Sequence, residues 1–311
     1  MSYEYDGRGE VLVLCPSREN AEGAINMIVS AYKTMHRLGT EIVIVIDEDE
    51  PQRAAYLAIP DQVRDLRPYG SHPPVIMTVE GGTLTKATNE AVERLWDVDR
   101  IIGHVGDDHR FVTPGWDTRI RSVLLETPGV AYAYDGFRSA WASAWWTNTL
   151  IIRTLGWLAL PGSMHLTIDD AFMDIGAGLG RLFFLDDLLI EHLHPAGGKV
   201  EWRAIVKSHY ARDRRAKEDA NLAEYRRLYF REDIRKLQLA LGMEQTESDD
   251  QAPGFTFRRN RKGQWALPDA TTVTRGKVWP TNEELAEWAG HDPRNTQEWL
   301  TMRRKWSREH A

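Results

Sequence analysis

Short apolar runs alternate with helical periodicities through the first half of the chain. Val11-Leu12-Val13-Leu14-Cys15, following Glu10, is a continuous apolar run, the mark of a strand buried on both faces. Pro16-Ser17-Arg18 ends it. Ile25, Ile28, Tyr32 and Met35 then share one helical face, with Gly39 as the stop. Glu41-Ile42-Val43-Ile44-Val45-Ile46 reads as a second buried strand, closed by the acidic turn Asp47 to Pro51. Strand, helix, strand in this order implies a parallel pair with a right-handed crossover. The pattern recurs. Val75 to Val79 is a strand, Gly81 and Gly82 break it, and Thr83 to Trp96 is a helix with Leu84, Ala87, Ala91 and Leu95 inward. Arg100 to Val105 is the next strand, and after Pro114-Gly115-Trp116 a helix runs to Leu125. Val130 to Tyr134 opens a less regular half, rich in Trp and Gly. There Leu182 to Leu185 and Leu188 to Ile190 flank Asp186-Asp187, which predicts a hairpin with a two-residue turn. It leads into His192-Leu193-His194-Pro195. Helical spacing returns from Asp213 to Leu241.

The acidic stretch Glu244 to Gly254 ends in Pro-Gly and reads as a linker, dividing the chain into residues 1–245 and 246–311. Beyond it, Thr281 and Glu284 are spaced as a capping box for a helix that Gly290 stops. A second helix from Arg294 to Arg308 carries Arg303, Arg304, Lys305 and Arg308. Phe257 to Trp265 is basic, aromatic and hairpin-like. This segment reads either as a helix-turn-helix DNA reader or as a helical hairpin that packs on the rest of the chain. Charge sharpens the contrast. The whole chain is net −7, with 39 Lys and Arg against 46 Asp and Glu. Residues 252–311 are about +4 and the remainder about −11. The body therefore gives no reason to bind a polyanion, whereas the tail does. One cysteine, Cys15, excludes an intrachain disulfide and points to a reducing compartment. Met1 to Glu10 lacks an apolar signal region, and Arg153, Thr154 and Gly156 interrupt the longest apolar stretch, Leu150 to Leu160. A soluble cytoplasmic protein that contacts no membrane is the expectation.

The chemistry concentrates in Gly106-Asp107-Asp108-His109-Arg110-Phe111, just past the end of a strand, where α/β sheets place their ligands. Asp107, Asp108 and His109 suit a divalent cation that carries a phosphate group. The competing reading is a turn capped by Asp with a solvated His. His192 and His194 end another strand and, by alternation, face the same side. A second imidazole from there completes a cation site, and His194, beside the Pro195 turn, is the favoured ligand. Asp169 and Asp170 follow the loop Pro161 to His165 and open a helix. They are candidates for a general base, Asp170 first, or for helix caps. Trp141, Trp145 and Trp146 offer flat faces for stacking on a sugar or base, though core filling is the stronger reading for Trp145 or Trp146.

Taken in order, these residues carry a resemblance. Pro16-Ser17-Arg18, Asp47, Gly106 to Phe111, Pro114-Gly115-Trp116, Leu155-Gly156, Ile168-Asp169-Asp170, Ile190 to Pro195 and Gly198-Lys199 are together similar to the GT-A fold glycosyltransferases. Small members found in bacteriophages and actinobacteria are the nearest in pattern. The resemblance spans Val11 to Tyr210. It implies an α/β, Rossmann-like, mostly parallel sheet flanked by helices, with a small C-terminal α-rich appendage. It also implies a nucleoside-diphosphate sugar as donor, most often a UDP-sugar, with Mn²⁺ or Mg²⁺. Pro16, Ser17 and Arg18 would line the base and ribose, Asp47 would accept a hydrogen bond from either, and Lys86 and Asn89 would reach the nucleotide. Arg110 or Arg18 would face the departing diphosphate. The family's usual third acidic position is His109 here. Asp169 or Asp170 would deprotonate the acceptor hydroxyl, and Trp141, Trp145 and Trp146 would bind the acceptor. If the tail binds DNA, the acceptor would be a hydroxymethylpyrimidine in phage DNA. A protein, glycan or small molecule is the alternative acceptor, and a catalytically silent nucleotide- or DNA-binding module is the non-enzymatic reading.

Overall fold

The computed structural model describes residues 11–37, 39–136, 142–194 and 212–243, and the backbone of 258–259 and 265–266. Four apolar runs become parallel neighbours. They are β1 (Val11–Pro16), β2 (Thr40–Asp47), β3 (Val75–Val79) and β4 (Ile101–His104). Helix α1 (Ala21–Thr34) makes the first crossover, and α4 (Leu84–Glu93) makes the one from β3 to β4. Two short helices, α2 (Arg53–Leu57) and α3 (Ile59–Gln62), fill the connection after β2. The chain continues through β5 (His109–Phe111), α5 (Trp116–Glu126), β6 (Val130–Tyr134), β7 (Trp145–Asn148), α6 (Thr149–Leu155), α7 (Ile168–Gly178) and β8 (Leu182–His192). Helices α8 (Arg212–Leu228) and α9 (Phe230–Ala240) follow. The eight strands form one sheet in the order β3-β2-β1-β4-β7-β6-β8-β5. β7 runs antiparallel to both neighbours, and β5 is antiparallel to β8.

Strand alternation sorts the core into two layers. Leu12, Leu14, Ile102, Tyr132 and Trp145 face one side, where Ala87 and Ala91 of α4 and Phe172 and Ile175 of α7 cover them. Val13, Cys15, Ile101, Ala131 and Trp146 face the other, against Met27 and Ile28 of α1 and Ile120 and Leu124 of α5. Each fully buried aliphatic side chain contributes about 1.5–3 kcal/mol, so a sheet buried on both faces is the main source of stability. The parallel order brings the ends of β1, β2 and β4 to one edge, where Ser17, Asp47 and Asp107 lie. Among the described residues, no helix is long and apolar enough to cross a membrane.

The structure departs from expectation in the second half. Leu182 to His192 is one eleven-residue strand, not a hairpin. Asp186-Asp187 lacks the glycine that a tight hairpin turn favours, and Asp186 is buried. The chain instead takes an irregular step there: Ala133 pairs with Leu185, but Tyr134 pairs with Leu189. Beyond the step β8 keeps β6 on one edge and pairs with β5 on the other. The linker and the paired helices of the tail lie outside the described residues. Arg258–Arg259 and Trp265–Ala266 form a short antiparallel pair inside the segment read as hairpin-like.

β4, which delivers the acidic motif, depends on Gly103. A Cβ there would lie 2.0 Å from Trp146 Nε1 and 2.3 Å from its Cδ1, because the buried indole lies directly on the glycine. Gly103→Ala should destabilise the fold by about 1–3 kcal/mol, read as a lower denaturation midpoint with an unchanged m-value.

Candidate active site

The register of two strands builds the centre of the site. β5 and β8 pair with His109 directly opposite His192, Arg110 opposite Glu191 and Phe111 opposite Ile190. Directly opposed residues project to the same face, so the two imidazoles stack, with centroids 4.4 Å apart and planes 11° from parallel. Asp108 lies between them. Its Oδ1 is 3.1 Å from His109 Nδ1 and its Oδ2 is 3.1 Å from His192 Nε2. The Leu193 amide donates to the Asp108 carbonyl and the His192 amide to the Asp135 carbonyl, which fixes β8 against the motif. Gly106 lets the turn close tightly, since a Cβ there would meet Asp108 Oδ1 at 2.6 Å.

Electrostatics follow from this geometry. Burial alone would raise Asp108, but the hydrogen bonds and charges of His109 and His192 hold it well below the usual carboxylate range. Burial alone would lower His192. Its bond to Asp108 and the charges of Asp108, Asp135 and Asp169 outweigh that and raise it. Asp108, His109 and His192 each offer one ligand atom, and these atoms lie within 4.8 Å of one another. His109 Nε2 is buried with no hydrogen-bond partner among the described residues. Such an orphan costs about 1–3 kcal/mol, which a bound cation would relieve. One carboxylate and two imidazoles fit a borderline divalent ion and leave positions for phosphate oxygens.

A polar network surrounds the end of β1. Ser17 Oγ donates to Asp107 Oδ2 at 2.5 Å and lies 2.6 Å from Tyr56 Oη. Tyr56 Oη also accepts the Asn20 amide. Arg18 pairs with Asp47 at 2.9 Å and with Asp49 at 2.6 Å. Glu19 takes the left-handed backbone conformation, with φ 54°, and both Glu50 carboxylate oxygens accept its amide. Four acidic side chains, Asp47, Asp49, Glu50 and Asp107, thus bond the loop from Pro16 to Asn20.

A second group of carboxylates lies at the start of α7. Trp145 Nε1 donates to Asp169 Oδ1 at 3.0 Å. Asp170, one residue on, has its carboxyl pushed up to about 7 by burial and then by the Asp169 charge, against the opposing charges of Arg215 and Arg226. The loop ahead of α7 is tied to α8. Glu218 accepts the amides of Met164, His165 and Leu166 at 3.2, 2.9 and 2.6 Å, and Asn221 donates to Pro161 and Ser163.

No family model matches the chain, and no curated protein matches it by sequence. Solved structures do match. PcManGT, a mannosyltransferase from Pyrobaculum calidifontis in complex with GDP-Man and Mn²⁺, aligns with a TM-score of 0.51 at 15% identity, covering 76% of this chain and 74% of that one. Residues 1–349 of S. aureus TarS, in complex with UDP-GlcNAc, align with a TM-score of 0.50 at 15% identity, covering 75% and 71%. The fold is GT-A-like. At this identity the likeness establishes the architecture and not the activity.

Within the GT-A-like frame several sequence assignments change place. Asp108 joins the imidazole cluster, whereas Asp107 bonds Ser17. His192 takes the position given to His194, whose ring lies 5.0 Å from His192 at 54°. Strand register decided this: His192 is the residue paired with His109. Arg110 alternates to the opposite face, exposed and ion-paired with Glu191, so it does not face the cluster. Asn89 is committed elsewhere, accepting the Leu158 and Ala159 amides and donating to the Ala159 carbonyl. Lys86 is exposed on the first turn of α4. Trp145 and Trp146 are fully buried and present no face to an acceptor. Trp141 lies outside the described residues. Tyr56, Glu50 and Glu218 went unnoticed in the sequence, because only tertiary contacts give them partners.

The cluster assigns different weights to the two neighbouring histidines. By titration calorimetry, His192→Ala and Asp108→Ala should weaken Mn²⁺ binding by more than about 100-fold, and His194→Ala by less than about threefold. Equal losses for His192→Ala and His194→Ala would contradict the assignment.

Proposed function

We propose that the chain is a divalent-cation-dependent glycosyltransferase that takes its sugar from a nucleoside-diphosphate donor. The observation that carries this is the Asp108–His109–His192 cluster at the strand-end edge of a GT-A-like sheet, with the Asp169–Asp170 pair at the start of α7. A sheet edge of this kind is a ligand site by architecture. PcManGT, with the same fold, was solved with GDP-Man and Mn²⁺, and TarS with UDP-GlcNAc. In this reading Asp108, His109 and His192 hold the cation. Two imidazoles favour Mn²⁺ over Mg²⁺. The bound cation supplies neutralising charge for the diphosphate.

The chain's own residues divide the remaining work. Pro16, Ser17 and Arg18 form the nucleoside side, with Asp47 held in place by Arg18 and Asp107 held by Ser17. Asp170 removes the proton from the acceptor hydroxyl. Burial, then the charges of Asp169 and Asp174, push its carboxyl up to about 7 against Arg215 and Arg226, which suits a base that must take a proton near neutral pH. The acceptor in this reading is a hydroxyl compound. Of the basic segment that pointed to DNA, only the backbone of 258–259 and 265–266 is among the described residues.

Mass spectrometry of reactions with a panel of UDP- and GDP-sugars tests the reading. Turnover of at least one donor, lost in chelator and restored by Mn²⁺, is the expected result, and no turnover of any would sink it. Asp170→Asn should lower kcat by about 10²–10⁴ with little change in donor KM, and should abolish the rise of rate with pH through about 7. Stability should move the other way. The folded carboxyl sits above its ordinary value, so wild type loses stability as pH rises from the normal Asp range through about 7. Asp170→Asn should therefore have the higher Tm at pH 8.

A further inference from the structure

We propose that Trp145 is a positioning residue for the transfer: its indole N–H orients the Asp169 carboxylate beside Asp170 in the first turn of α7. The inference rests on the functional reading above. Helix α7 does not secure its own first turn, because Thr167 at its N-cap makes no side-chain capping bond. Other elements do that work. Glu218 of α8 gathers the amides of Met164, His165 and Leu166 just upstream, and Trp145 of β7 reaches Asp169 within the first turn.

The indole is itself immobilised. It lies between Phe172, with centroids 4.2 Å apart at 18°, and His104, 5.6 Å away at 21°. An indole N–H donates in the ring plane, so clamping the plane aims the donor. His104 is buried at the end of β4, and burial, then the nearby His109 charge, push it down to about 4. It therefore stacks as a neutral ring at physiological pH. The bond from Nε1 to a carboxylate is charge-assisted and stronger than a neutral one. What it places matters to its neighbour in the helix: the Asp169 charge acts on Asp170. Charge interactions fall with separation, so a displaced Asp169 carboxylate would act on Asp170 differently.

Trp146 supplies an internal control. It is equally buried and next in sequence, but it faces the opposite layer, lies on Gly103, and its Nε1 has no hydrogen-bond partner among the described residues. Phenylalanine at either position keeps an aromatic ring and removes the donor, which only Trp145 uses.

The experiment compares W145F with W146F, using whichever of UDP-glucose, UDP-N-acetylglucosamine or GDP-mannose the wild type turns over fastest. W145F should lower kcat by about tenfold to a hundredfold with donor KM within about twofold of wild type, while W146F keeps kcat within about twofold. In an Asp169→Ala background W145F should cost no more than about twofold further, since the two act as one unit. Equal kcat losses in W145F and W146F, or a full W145F loss on top of Asp169→Ala, would overturn the role. A second readout avoids any tryptophan substitution: the Trp145 indole N–H resonance should move in Asp169→Asn and the Trp146 resonance should not. A stationary Trp145 signal would also overturn the proposal. Normal turnover in W145F removes the role of Trp145 alone. A wild type that turns over none of the three donors removes the functional reading beneath it.

Discussion

The sharing of one carboxylate by two stacked imidazoles organises this molecule. Asp108 meets His109 on one oxygen and His192 on the other, and the two rings face each other because β5 and β8 are paired at those residues. β8 lies between β6 and β5, so the irregular step around Asp186–Leu188 shifts its register on β6 while β5 pairs with its other edge. A one-residue slip in the β5–β8 pairing would send His192 to the opposite face and disperse the donors.

A second constraint acts at the start of α7. Thr167 at the N-cap of α7 makes no side-chain capping bond, and the helix opens with two acidic residues. The fold ties this turn through the amides gathered by Glu218 and the indole of Trp145. Helix α8 thus bears on the start of α7. Its Arg226 grips Asp174 through two hydrogen bonds and opposes the charge at Asp170. The donor loop is treated similarly. Glu50 accepts the amide of the left-handed Glu19, and Tyr56 ties Ser17 to Asn20. On both sides, loops that would otherwise be free to move are anchored by buried or half-buried polar side chains.

Such anchoring explains why much of the site was legible and part was not. The strands β1, β2 and β4 were visible because both faces of a central sheet are buried, and continuous apolar runs follow from that. The acidic motif was visible because it ends such a strand. The single strand β8 was read as two, since a pair of aspartates between apolar runs looks the same whether the chain reverses or only steps. The choice of His192 over His194 and the loss of Arg110 from the cluster both turned on register. Asn89 was misread because an amide on a helix face gives no sign of the carbonyl and amides it will meet 69 and 70 residues away.

The amino-acid sequence by itself determined the layered α/β architecture and the edge at which ligand chemistry gathers, because hydrophobic period and turn composition are local properties. Tertiary structure alone decided which imidazole stands opposite His109, which aspartate the indole of Trp145 holds, and which tryptophans are sealed in the core. Those outcomes depend on the pairing of distant strands and the docking of distant helices. No local pattern encodes them, since the partners that satisfy each polar group arrive only when the sheet closes around it.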